Sequence, residues 1–144
     1  MSFDSLEDAV EVGDEGPRIT VEDISRETFV RYAGASGDFN PLHYDDEHVR
    51  NADYEGVFGQ GMFVAGIVSR VVTQWFGIEG VSTFDIRFVE KVLPEETIHA
   101  FGVVEEVQEA PDATTIELAL TAETDEGTEL ATGTATVTLG ESNL

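Results

Sequence analysis

The stretch Gly61-Met-Phe-Val-Ala-Gly-Ile-Val-Ser-Arg-Val-Val-Thr-Gln-Trp-Phe76 decides how this chain folds. Met62, Ala65, Val68, Val72 and Trp75 or Phe76 recur at helical spacing. Phe63, Val64, Ile67 and Val71 extend the apolar cover almost all the way round. A helix apolar on nearly every side is a buried one. Beyond Gly77 the period changes to two. Phe84, Ile86 and Phe88 alternate with Thr83, Asp85 and Arg87; Ile116, Leu118, Leu120 and Ala122 alternate with Glu117, Ala119, Thr121 and Glu123. Along Leu130 to Leu139, Ala131, Gly133, Ala135, Val137 and Leu139 alternate with four threonines. Such alternation marks strands with one buried face. Turn signals at Pro94-Glu95, Ala110-Pro-Asp112 and Thr124-Asp-Glu-Gly127 divide this half of the chain into four long strands.

Upstream of the apolar stretch the signals are helical. Arg18 to Val21 reads as a short first strand. Ser25 is a natural N-cap for a helix whose apolar face is Phe29, Val30, Tyr32 and Ala33, and which ends near Ser36. Asp45, Asp46 and Glu47 place negative charge at the start of a second, short helix that ends at Asn51, where the macrodipole favours acids. Helices first and an antiparallel meander afterwards is an α+β arrangement. One long buried helix must then lie against the concave face of a curved antiparallel sheet wrapped around it, the outline of a single hot-dog domain. Residues 17–140 are the expected domain, residues 1–16 an acidic, glycine-punctuated and loosely held lead-in, and residues 141–144 a C-terminal tail. A sheet of this kind leaves the helix exposed at one edge, so pairing with a second copy in a homodimer or higher homo-oligomer is expected.

Composition excludes several classes of function. Seven basic residues stand against thirty acidic ones, a formal charge of -23. Lys91 is the only lysine, and the arginines are scattered among carboxylates, so nucleic acid is not an expected partner. An acidic, lysine-poor surface on a chain that is 41% apolar matches the surface of a halophile's protein, whose self-repulsion is screened by concentrated salt. There is no cysteine, so disulfides, thiolate nucleophiles and cysteine metal sites are all excluded. No segment approaches roughly 18 uninterrupted apolar residues and no basic region precedes an apolar run at the N-terminus, which gives the expectation of a cytoplasmic protein without a membrane span. Of the three histidines, no two stand four residues apart, so no metal site is implied. His48 lies on a charged helix and reads as solvated. His99 lies in a strand with no acidic partner at a useful spacing.

The densest chemistry lies in Tyr32-Ala-Gly-Ala-Ser-Gly-Asp-Phe-Asn-Pro-Leu-His43. On one continuous helix Asp38 and His43 would sit about 140° apart and could not share a face. Gly37 can end the helix in a left-handed conformation and Pro41 drives Asn40 toward extended geometry, leaving a loop on which the acid and the imidazole can converge.

With Ser36-Gly-Asp-Phe-Asn-Pro-Leu-His43 followed by Asp45, Gly61-Met62 opening the apolar helix, and Ser69 further along it, the chain resembles the MaoC-like, or hydratase 2, family of (R)-specific enoyl-CoA hydratases. Two positions depart from the family pattern: Gln60 stands where a histidine is common, and Lys91 where a proline is common near Val92-Leu-Pro94. The resemblance implies reversible syn addition of water to trans-2-enoyl-CoA, giving (R)-3-hydroxyacyl-CoA for fatty-acid metabolism or polyhydroxyalkanoate synthesis, with acyl-CoA as substrate and no cofactor. Asp38 and His43 would hold one water between them and act as base and acid, with the division of protons left open. Gly61, at the N-terminus of the buried helix, offers a backbone N–H for the enolate oxygen of the thioester. Asn40 either orients a partner or contacts the thioester side. The Ser69 hydroxyl either bonds to the Asp38–His43 pair or back-bonds to a carbonyl of its own helix. Two other readings share the fold: an acyl-CoA thioesterase, and a non-catalytic acyl-CoA-binding subunit for which Gln60 is the best support. Arg87 and Lys91 form a small positive island suited to CoA phosphates.

Overall fold

The computed structural model describes residues 10–140. Residues 1–9 of the expected lead-in and the whole of the tail lie outside the described residues. In chain order the elements are β1 (Ile19–Val21), α1 (Arg26–Ser36), a 3-10 turn (Pro41–His43), α2 (Asp46–Asn51), α3 (Gly61–Phe76), β2 (Val81–Phe88), β3 (Ile98–Glu109), β4 (Ala113–Thr124) and β5 (Glu129–Gly140). The strands form one five-stranded antiparallel sheet in the order β1-β3-β4-β5-β2.

The sheet curves around α3, which touches all five strands. Irregularities of register at Val81/Thr83, Val104/Glu106 and Ala122/Glu123 bend and twist the strands they interrupt. From α3, Val64, Ala65, Ile67, Val68, Val71, Val72 and Phe76 are buried. They meet Ile116, Leu118, Leu120 and Ala122 of β4 and Ala131, Ala135, Val137 and Leu139 of β5, the alternate residues that the period-two pattern assigns to the inner face. Each fully buried Val, Ile or Phe side chain contributes about 1.5–3 kcal/mol, so this helix–sheet seam dominates the stability of the domain. The apolar cover of α3 is nonetheless incomplete: Met62, Gly66 and Arg70 form an exposed stripe along one side.

Residues 13–16, the end of the expected lead-in, are held by backbone hydrogen bonds. Gly13 donates to the Val104 carbonyl at 2.8 Å, Gly16 to that of Gly102 at 3.0 Å, and Val104 to that of Asp14 at 2.9 Å, so residues 13–16 run along β3. Gly16 is required there because a Cβ would lie 2.1 Å from Cε3 of Trp75. Its lack of a side chain, which suggested looseness, is what admits the indole.

Candidate active site

The loop after α1 forms as its sequence dictates. Gly37 takes the left-handed conformation (φ 81°, ψ 5°) and donates to the Ala33 carbonyl at 2.9 Å, ending α1. Asn40 is extended (φ -60°, ψ 121°), as a residue before proline must be, and its Oδ1 accepts from Leu42 N at 3.1 Å. That bond closes the 3-10 turn that delivers His43. Asn40 therefore acts on its neighbour through the backbone. The Tyr44 hydroxyl donates to the Phe39 carbonyl at 2.6 Å and holds the loop on itself. Asp45 caps α2 by accepting from the N–H groups of Glu47 and His48, both at 3.1 Å. Arg26 grips Asp46 with two bonds of 2.6 and 2.9 Å, tying the start of α1 to the start of α2 across the loop. This contact holds the Asp46 carboxyl below the usual aspartate range, chiefly through the hydrogen bond from the guanidinium.

Within that frame Asp38 and His43 converge. His43 Nε2 lies 3.8 Å from Asp38 Oδ2; the imidazole is buried and the carboxylate is 44% exposed. The other imidazole nitrogen, Nδ1, lies 2.7 Å from the Phe58 carbonyl oxygen. A carbonyl can only accept, so Nδ1 carries a proton and the Nε2 of neutral His43 presents a lone pair toward Asp38. Two acceptors thus face each other at a separation too long for a direct hydrogen bond. One water about 2.8 Å from each can donate to both. The Asp38 carboxylate is further fixed by Asn40 N, which donates to Oδ1 at 3.3 Å.

Phe58 joins this pair to the helix N-terminus. Its N–H reaches the Leu42 carbonyl at 3.4 Å, and three residues later the chain enters α3 at Gly61. Three residues span at most about 11 Å, which bounds the distance from Phe58 to Gly61; both line one crevice, of which Asp38 and His43 are not walls. No side chain caps α3; Phe63 N donates to the Gln60 carbonyl at 3.2 Å, and the N–H groups of Gly61 and Met62 before it are left without a capping side chain and are backed by the helix dipole. A Cβ on Gly61 would stand 3.0 Å from two atoms of the Phe88 ring, so a glycine lets the end of β2 pack against the helix start. Between these elements lies a crevice of about 280 Å³, with Gly61, Gln60, Val64, Phe88, Val92 and Leu130 among its walls.

Ser69 is not brought to the pair: its hydroxyl donates to the Gly66 carbonyl, one turn back in the same helix, at 2.7 Å. Lys91 is a rim cation, 3.3 Å from Glu90 and 5.5 Å from the centre of the Tyr54 ring. His48 is exposed, as expected. His99 corrects the sequence reading. Its Nε2 bonds to Asp125 and its Nδ1 lies 3.0 Å from Thr20 Oγ1. The partner was missed because it lies 26 residues away, brought close by the β3–β4 register in which His99 faces Glu123. Phe58 was missed because it acts through its backbone, which no residue type advertises. Among the described residues no cluster of three potential metal ligands occurs, and no helix is long and apolar enough to cross a membrane.

Comparison with known proteins gives this geometry a family. The mitochondrial 3-hydroxyacyl-(acyl-carrier-protein) dehydratase of Arabidopsis thaliana is 37% identical over 65 residues, which are 40% of this chain and 39% of that protein. The peroxisomal multifunctional enzyme type 2 of Mus musculus is 31% identical over 98 residues, 66% of this chain and 13% of that one. The chain thus covers well under two thirds of either relative. The solved (R)-hydratase from A. caviae involved in PHA biosynthesis superposes with a TM-score of 0.76 at 24% identity, covering 90% of this chain and 96% of that one, which shows a common hot-dog fold. The model of the MaoC like domain matches residues 10–127, from the segment laid along β3 to the β4–β5 turn, and the chain belongs to that family.

Proposed function

We propose that this chain is an (R)-specific 2-enoyl-CoA hydratase that adds water reversibly to trans-2-enoyl-CoA. The observation that carries the reading is the 3.8 Å gap between Asp38 Oδ2 and His43 Nε2, two acceptors whose orientation is set by Asn40 N and the Phe58 carbonyl. A water held there donates a hydrogen to each and keeps an oxygen lone pair for the β-carbon. As the C–O bond forms between the water oxygen and the β-carbon, one of the pair takes a proton from the water, and that proton is passed to the α-carbon on the same face, so hydroxyl and hydrogen both come from the one water and the addition is syn. Negative charge that gathers on the thioester oxygen is met by the Gly61 N–H. Losing a donor of this kind typically costs about 10²–10³ in rate. Ser69 has no place in this scheme, and Asn40 serves as a positioning residue.

The test is the loss of enoyl absorbance with crotonyl-CoA in concentrated salt, with the chirality of the product and the release of free thiol followed in parallel. Thiol release without hydration would instead make the chain a thioesterase. Binding of acyl-CoA without either reaction would make it a non-catalytic subunit. A homodimer is the proposed assembly, since β2 ends the sheet with a free edge and none of its residues is fully buried. The charge of -23 supports a salt-requiring protein.

A further inference from the structure

Gln60 stands at the N-cap of α3 and is 1% exposed. Its side chain does not cap the helix it precedes. Nε2 donates instead to the Phe29 carbonyl of α1 at 2.8 Å, and no donor among the described residues reaches Oε1. The side chains favoured at an N-cap are the short ones of Ser, Thr, Asp and Asn, which turn back on their own helix. Stability does not explain the longer amide. The Phe29 carbonyl lies inside α1 and has the N–H of Ala33 as its ordinary helical partner, so it is satisfied without Gln60. A buried acceptor without a donor is, moreover, a cost that an apolar side chain of similar shape avoids.

What the bond does is geometric. Asp38 N donates to Ser36 Oγ at 3.1 Å, and that hydroxyl donates to the Tyr32 carbonyl at 2.7 Å, so the acid is tied to the last turn of α1. Gly61 opens α3. Between the two helices the packing is apolar: Phe63 lies edge-on to Phe29 and Tyr32, with ring centroids 6.3 and 5.7 Å apart, and a Cβ on Gly59 would stand 2.8 Å from the Phe29 ring. Apolar contacts are non-directional, whereas a hydrogen bond fixes the separation and angle of the groups it joins. The Gln60 amide supplies such a bond across the junction. We propose that Gln60 is a positioning residue, whose amide sets the start of α3 against α1 and so holds the Gly61 N–H in place relative to the loop that carries Asp38. The inference rests on the hydratase reading above and deepens it. The Gly61 N–H meets charge that develops in the transition state, so its misplacement is read in kcat and not in binding.

The test uses Gln60→Met, which removes the donor, and Gln60→His, which returns a ring N–H at about the same reach. Crotonyl-CoA hydration, calorimetric binding of butyryl-CoA, which cannot be hydrated, and thermal unfolding are measured in the same concentrated salt. In Gln60→Met kcat is expected to fall by about 10- to 100-fold, the loss that a displacement of about 1 Å produces. KM and the affinity for butyryl-CoA should stay within about threefold of wild type. The unfolding midpoint should be unchanged or raised, because the unpaired acceptor is gone. Gln60→His should recover kcat to within about threefold of wild type. A kcat of Gln60→Met within about threefold of wild type overturns the inference. So does a midpoint lowered by more than about 5 °C, or a failure to fold, since Gln60 would then support the fold and not the placement of one group. Butyryl-CoA binding that weakens in step with kcat overturns it as well. A loss that Gln60→His does not recover has the same force, because the effect would follow side-chain shape and not the donor. Wild-type hydration separates the two levels. A wild type that hydrates crotonyl-CoA no faster than Gln60→Met removes this inference alone, whereas a wild type that hydrates nothing removes the hydratase reading and this inference with it.

Discussion

Replacing Asp38 by asparagine tests the two-acceptor geometry more sharply than a truncation would. The retained carbonyl oxygen can still accept from Asn40 N, so the loop keeps the bond now made at 3.3 Å. The new amide group, however, is a donor facing the Nε2 lone pair of His43 across 3.8 Å. A movement of about 0.8 Å brings it to ordinary hydrogen-bond distance and closes the space in which a water would sit. One added hydrogen bond contributes about 1 kcal/mol net, which for a chain of this size raises the unfolding midpoint by about 2–4 °C. Removing the carboxylate and displacing the water costs about 10²–10⁴ in hydration rate. Asp38→Asn is therefore expected to be as stable as the wild type or slightly more so, and nearly inactive. Thermal unfolding by circular dichroism and crotonyl-CoA hydration, both in the same concentrated salt, measure the two halves. Hydration within about threefold of wild type would refute the role of Asp38. A midpoint lowered by more than about 5 °C would show instead that the carboxylate supports the loop, and the two-acceptor account would fall.

Gly16→Ala sets a methyl carbon 2.1 Å from Trp75 Cε3, so the 13–16 segment or the indole must move; a loss of about 1–3 kcal/mol is expected in urea unfolding, with unchanged helix content. In Arg26→Ala the Asp46 carboxyl should titrate at higher pH than in the wild type, as followed by carboxyl-carbon NMR. Because the folded value in the wild type is depressed, the contribution of the pair is present above the unfolded value and disappears as pH falls through the folded one, so the two proteins converge in stability in strong acid. Raising the salt from about 0.1 M to about 1 M shortens the Debye length from about 10 Å to about 3 Å, and with a formal charge of -23 the midpoint of unfolding should climb steeply over that range. A flat response to salt would refute the reading of the acidic surface. If charge capture by the rim cation contributes, Lys91→Glu should weaken the apparent affinity for acyl-CoA at moderate salt; unchanged affinity would remove Lys91 from the binding surface.

Local chain chemistry made much of this molecule legible. The boundaries of α3 follow from an apolar run that starts after Gln60 and stops at Gly77, and the end of α1 follows from Gly37, whose left-handed dihedrals the run Ser36-Gly-Asp anticipates. The period-two segments fixed which side of β4 and β5 meets the helix. What escaped depends on pairs far apart in sequence. The bond between His99 and Asp125 exists only because β3 and β4 pair in one particular register, and a shift by two residues would part them without altering the hydrophobic pattern of either strand. The packing of Gly16 under Trp75 likewise joins residues whose types carry no mutual signal.

The same division runs through the candidate site. Asp38, Asn40, Pro41 and His43 announce themselves because a broken helix with an acid and an imidazole on the break is a local arrangement. What turns that arrangement into chemistry is not local. The Phe58 carbonyl, 15 residues beyond His43, decides which imidazole nitrogen carries the proton, and so decides that Asp38 faces a lone pair rather than an N–H. Were Nδ1 unpartnered, Nε2 could donate to the carboxylate and the two groups would satisfy each other with no place for water. For the neutral imidazole, a backbone oxygen thus makes the difference between a closed hydrogen bond and a water-holding cleft. It follows that a change at Phe58 that shifts its carbonyl, such as Phe58→Pro, should damage hydration as badly as a change at His43 itself, whereas Phe58→Leu, which keeps the backbone, should leave most of the rate intact.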